Sequence, residues 1–292
     1  MIKSDLKYFN NELVSADLDF LKFQIKLCNV HLISGTGLQR LIDECDAYIL
    51  LPNTTEVNPV ILKPVFVLYF LSDALRTLWL NKKEFSVQLR SMNSGDYNFG
   101  VITPKEQYFK DFEFEIFSAA MLVKKGVQVE LPQSTEGNDI VYLDIEIQCK
   151  HLEIFTRDKI DSILRDFQKS LIKNNKFGVL GLGMDDYMGF TEDSFPLDYE
   201  AHTVAYLKRL NEVEIVMREI LDSTLPYCPK VLGVYTLNTH FINNDEIGFV
   251  LGSTSNSAFC QRPRARAVEK EYQRQAYEII SVFNHRPAFR VF

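Results

Sequence analysis

Apolar residues recur at helical spacing through the first third of the chain, and strand-like alternation joins them further on. Ala16, Phe20, Phe23 and Leu27 mark one helix face, and Leu38, Leu41 and Ile42 resume the pattern after the Gly35-Thr36-Gly37 break. Pro59 suits the first turn of a long helix running to about Leu80. Residues 91–104, with Asn93, Ser94, Gly95, Asp96, Gly100 and Pro104, read as a loop-rich boundary. A helix over 108–125 follows. Its apolar face is set by Phe109, Phe112, Ile116, Ala119, Ala120 and Val123, and Gly126 stops it. Residues 127–131 alternate as a strand, and 132–138 form a turn-rich loop. Two further strands, 139–142 and 145–150, are joined by a tight turn at Leu143-Asp144. Next come a helix over 157–175, an apolar strand over 177–182, a helix over 198–223 and a strand over 231–237. A polar loop around Asn243-Asn244-Asp245 and a helix over 267–283 complete the order. This mixture predicts an α/β fold in which helices cover a central sheet. Residues 1–104 form a mainly helical region ahead of an α/β domain over 105–292.

The strand over 145–150 carries the most chemistry. Alternation sends Ile145, Ile147 and Cys149 to one face and Glu146, Gln148 and Lys150 to the other. Asp139 opens the neighbouring strand and lies beside Gln148 across the hairpin. Glu115 sits on the preceding helix, with Glu113 a rival for the same role. Glu146 reads as solvent-facing at the strand edge or as a further member of the acidic cluster, and His151 as a surface or packing residue. Acidic residues followed by a polar–x–Lys triplet suit a divalent-metal phosphodiesterase. Oxygen donors hold the cation while the ammonium orients a water or steadies a phosphate. Each residue also has a plain structural reading: Asp139 as a turn residue, Glu115 as a helix-surface carboxylate, Lys150 as a snorkelling strand end.

The same ordered set resembles the core of the PD-(D/E)xK nuclease superfamily, over residues 106–182. The run 112–120 is similar to the family's first core helix, which presents a Glu. Asn138-Asp139-Ile140-Val141 resembles the "PD" element, and Ile147-Gln148-Cys149-Lys150 the "(D/E)xK" element, in the QxK form of the Mrr-like branch. The resemblance implies a restriction-endonuclease-like core of order α-β-β-β-α-β, its mixed sheet flanked by helices. It also implies Mg²⁺ or Mn²⁺ held by Asp139, the Gln148 amide oxygen, the Cys149 carbonyl and Glu115, with Lys150 orienting the attacking water. Two positions depart from the family pattern. Asn138 replaces a proline that is not a ligand. Gln148 replaces a carboxylate, which removes one negative charge and loosens the hold on a hard cation.

Composition changes this picture only at its edges. The chain has 292 residues, 46% hydrophobic and 24% charged, and no basic-then-apolar leader, so a cytoplasmic protein is expected. Its most apolar window, 59–80, is interrupted by Lys63, Pro64, Asp73 and Arg76, which predicts a buried helix and no membrane partner. Five scattered cysteines without CxxC spacing imply neither a disulfide framework nor a zinc site. Gly178, Gly181 and Gly183 have the wrong spacing for a dinucleotide fingerprint, and no serine nucleophile elbow is present. The net charge of −7 counts against nucleic-acid binding, but seven Arg/Lys against three Glu from Gln261 onward make the tail basic. Arg262, Arg264 and Arg266 are the candidate phosphate contacts; a surface linker is the equal alternative. The expectation is therefore a metal-dependent nuclease acting on DNA, in a bacterial defence or repair setting that the resemblance alone suggests. The N-terminal helices would supply a homodimer or partner-protein surface. The alternative is a nuclease-like fold used as a nucleic-acid or protein interaction module with weak or no catalysis.

Overall fold

The computed structural model describes residues 11–51, 59–94, 107–133, 139–152, 154–185, 199–244, 248–260, 267–283 and 288–291. The helices are α1 (Asn11–Leu27), α2 (Gly37–Ile49), α3 (Pro59–Leu80), α4 (Ser86–Ser91), α5 (Gln107–Lys124), α6 (Arg157–Asn174), α7 (Tyr199–Ser223) and α8 (Ala267–Val282). The strands are β1 (Ile140–Tyr142), β2 (Ile145–His151), β3 (Phe177–Gly183), β4 (Val231–Asn244), β5 (Gly248–Phe259) and β6 (Ala288–Val291), and they lie in sequence order in one six-stranded sheet.

Local chemistry fixes several element boundaries. Gly126, at φ +86°, ends the turn after α5, a conformation that costs a residue without a Cβ little. Thr156 caps α6 by accepting the Lys159 N–H at 3.4 Å, and left-handed Asn175 closes its other end. The hairpin between β1 and β2 turns at Leu143, whose φ of 51° is unusual for a branched side chain.

Strands β2, β3 and β4 are mutually parallel, while β1 and the β5–β6 pair are antiparallel to their neighbours. The crossovers from β2 to β3 and from β3 to β4 run through α6 and α7. Both helices cover one face, packing Leu164, Leu171, Val213 and Ile220 over Leu180, Leu182 and Val234. The other face presents Ile145, Ile147, Cys149, Val179 and Tyr235 to α5 and α8. That hydrophobic cluster continues without a break through Phe109 and Ile116 into Leu71 and Leu75 of α3, Leu38 and Leu41 of α2, and Leu18 and Leu21 of α1, whose buried face is thus not the expected one, Phe23 and Leu27 being exposed. Burying each such leucine contributes roughly 1.5–3 kcal/mol. The partly exposed Lys22–Asp46 pair, at 2.8 Å, adds far less. Apolar packing therefore holds the N-terminal helices to α5.

The structure is α/β, with a mixed open sheet and more strands than the expected set. The strand expected over 127–131 shrinks to a single bridge: Glu130 and Val141 exchange both backbone bonds at 2.8 Å. Its alternation is real, because Val127, Val129 and Leu131 are buried while Glu130 is not. A three-residue β1 offers too little edge for a longer ladder. Beyond β3, Asn243 and Asn244 of the expected polar loop are the last residues of β4, while Asp245 lies outside the described residues, and β5 and β6 extend the sheet by two strands.

Candidate functional site

Antiparallel pairing of Ile140 with Ile147 sets the head of β1 against the C-terminal half of β2. There Asp139 Oδ2 accepts the Cys149 N–H at 2.6 Å. In a strand, the N–H and C=O of one residue leave on the same edge. The Cys149 carbonyl therefore also points to the β1 side, where Asp139 stands. Gln148 and Lys150 flank Cys149, both half-buried, with side chains on the opposite face from the Cys149 thiol.

From the α5 side, Glu115 reaches this corner 5% exposed. Its carboxyl is pushed up to about 9, first by burial and then by the Asp139 charge, with Asp111 adding to the rise; the Gln88 amide and Lys150 oppose it. Asp139 rises less, to about 6. Burial lifts it, while the Cys149 N–H and the Lys150 charge restrain it. Burial thus favours keeping a proton in this corner, and it raises Glu115 more than Asp139. Asp111 completes the acidic group by accepting the His151 N–H at 3.3 Å.

The site departs from the sequence reading at two residues, Asp111 and Glu146. Glu113 is drawn away by an ion pair with Lys110 at 2.9 Å. Asp111, four residues before Glu115 and so on the same helix face, joins the corner instead. That spacing was the available signal. Glu146 is not solvent-facing but 5% exposed, with no hydrogen-bond partner for Oε2 among the described residues. The strand alternation is correct; the burial follows from α6, whose Phe167 and Leu171 crowd Gly178 directly opposite Glu146. His151 is a packing residue, held neutral by a pKa lowered to about 3 through burial and then the Lys110 charge. Arg262, Arg264 and Arg266 lie outside the described residues.

Among the described residues no three His, Cys, Asp or Glu side chains meet as a ready cation site. The expected donor set needs only two such side chains, Asp139 and Glu115, with the Gln148 amide and the Cys149 carbonyl supplying the rest. All four are hard oxygen donors of the kind Mg²⁺ and Mn²⁺ take. No described helix is long and apolar enough to cross a membrane, in keeping with the charged residues inside 59–80. No protein-family model matches the chain, and no curated protein or solved structure matches it.

Proposed function

We propose that the chain is a divalent-cation-dependent phosphodiesterase acting on nucleic acid, with DNA the favoured substrate, and that its site is the corner formed by α5, β1 and β2. The observation that carries this reading is the bond from the Cys149 N–H to Asp139. It ties the acid at the head of one strand to the centre of the Gln148-Cys149-Lys150 run, beside a buried Glu115. The element order α5, β1, β2, α6, β3, with the Glu130 bridge standing for the missing strand, supports a restriction-endonuclease-like core.

Asp139, Glu115, the Gln148 amide and the Cys149 carbonyl would hold Mg²⁺ or Mn²⁺. Such a cation supplies charge for the phosphate oxygens and a more acidic bound water. Asp139 is oriented before any ligand arrives, because its Oδ2 is already fixed by a backbone donor. Glu115 keeps a proton in the absence of a cation, and that proton must leave when the carboxylate becomes a ligand. Lys150 steadies a phosphate oxygen or orients the water that attacks phosphorus. The products are a 3′-hydroxyl and a 5′-phosphate, as the family resemblance implies.

The test is cleavage of plasmid and linear DNA with Mg²⁺ or Mn²⁺ by wild type, Asp139→Ala and Lys150→Ala, each shown to be folded by circular dichroism. Activity in wild type alone is expected. Identical behaviour of all three removes the enzyme reading. A second reading, a nuclease-like fold that binds without cutting, is favoured by the neutral Gln148 at a ligand position. Under that reading wild type retains DNA without cleaving it.

A further inference from the structure

Tyr235 of β4 is fully buried, yet it carries a hydroxyl that a core position does not need. Its ring stacks on Phe283 with centroids 3.8 Å apart, and tilts against Phe114 of α5 at 6.4 Å. A phenylalanine would make both contacts. The hydroxyl lies 3.9 Å from Cys149 Sγ, two strands away. Register puts Cys149 opposite Gly181 and Gly181 opposite Tyr235, so the side chain passes across the whole width of β3. Neighbouring strands are about 4.8 Å apart, and only a strand without a side chain at that point can be crossed this way. A Cβ on Gly181 would meet the tyrosine oxygen at 2.4 Å.

Burying a hydroxyl is costly unless it is bonded, and here its neighbours are the Cys149 thiol, a weak partner, and the Ser118 hydroxyl. The arrangement makes sense through what Cys149 does on its other side. Its N–H holds Asp139 Oδ2 at 2.6 Å, and its carbonyl leaves on the same edge.

We propose that Tyr235 is a positioning residue for the candidate cation site: its hydroxyl, passing over Gly181, fixes Cys149, and through Cys149 the N–H that orients Asp139 and the carbonyl that completes the donor set. This rests on the cation-site reading above. Gly181 is part of the same device, because it clears the path. Ser118, also fully buried, lies beside the Tyr235 and Cys149 pair and makes the pocket behind the strand polar.

The experiment is Mn²⁺ binding to the full chain, followed by electron paramagnetic resonance, with melting temperature measured alongside. Tyr235→Phe keeps the ring stack and removes the hydroxyl. Its Mn²⁺ dissociation constant should rise about 10-fold, the lower end of what losing an outer-shell partner costs, with little change in melting temperature. Gly181→Ala, which forces the ring aside, should weaken binding at least as much. Should Tyr235→Phe fail to fold, Cys149→Ala removes the other end of the contact and gives the same readout. Unchanged Mn²⁺ affinity in a folded variant, or a lower melting temperature as its only effect, overturns the inference and leaves the cation site standing. Absence of Mn²⁺ binding by wild type instead overturns the cation site and the inference together.

Discussion

Two groups in this molecule put carboxylates to opposite effect. On α8, Glu271 and Glu278 bracket Arg274 in the open; Arg274 Nη2 donates to Glu271 at 2.6 Å, and Tyr142 also bonds Glu278. Hydrogen bonds from Arg274, then Gln275, hold the Glu271 carboxyl down at about 2. Under α5, burial drives Glu115 up to about 9, and the charges of Asp139 and Asp111 add to the rise. The first group is solvated and matched. The second disfavours its own ionised form, so it costs stability as pH rises. A fold that keeps such a cluster beside a polar strand end is retaining something stability does not require, which is the usual mark of a functional site.

The largest expected break in the comparison is catalytic. Asp139→Ala and Lys150→Ala should slow Mn²⁺-dependent plasmid nicking by about 100-fold or more, whereas Glu271→Ala should cut at the wild-type rate. Next in size is Glu115→Gln. Removing the ionisable group from the buried corner should raise the melting temperature by several degrees at pH 8, while weakening Mn²⁺ binding. A fall in melting temperature would mean that the carboxylate is matched after all.

The pH dependence sharpens the same contrast. Between about 4.5 and 9 the native chain holds a proton on Glu115 that the unfolded chain has released, so stability falls as pH rises through that window. Asp139 adds a shorter decline between about 3.8 and 6. Thermal melts across this range, without added cation, should show the slope in wild type and a flatter line in Glu115→Gln. The smallest effect belongs to the α8 group. Glu271 contributes stability above its unfolded pKa that disappears as pH falls towards about 2. Because the pair is fully exposed, Glu271→Gln should barely move the melting temperature, and salt should erase the difference.

What was legible in the sequence follows from which signals are local. Helices α5 and α6 and strands β2 and β3 end within a residue or two of their expected bounds, because periodicity, Gly126, Thr156 and Asn175 act within a few positions. The β1–β2 hairpin was legible for the same reason, and with it the nearness of Asp139 to Gln148. Strand β5 was not. Its run Gly252-Ser253-Thr254-Ser255-Asn256-Ser257 has the composition of a loop, and it becomes a strand by pairing with β4 along its whole length. Strand alternation puts Glu146 on its observed face, but its burial depends on Phe167 and Leu171 arriving from a distant helix. Asp111 and Glu115, one helical turn apart, share a face of α5, whereas Glu113, two residues from Glu115, does not.

The central claim is that the proton-holding corner of Glu115 and Asp139 is a divalent-cation site. Calorimetric titration of Mn²⁺ into wild type and Asp139→Ala at pH 7.5, in two buffers of different protonation enthalpy, tests it most directly. Saturable Mn²⁺ binding by wild type, accompanied by proton release and absent from a folded Asp139→Ala, is the predicted result. No binding by wild type, or the same binding and proton release in both proteins, would contradict it.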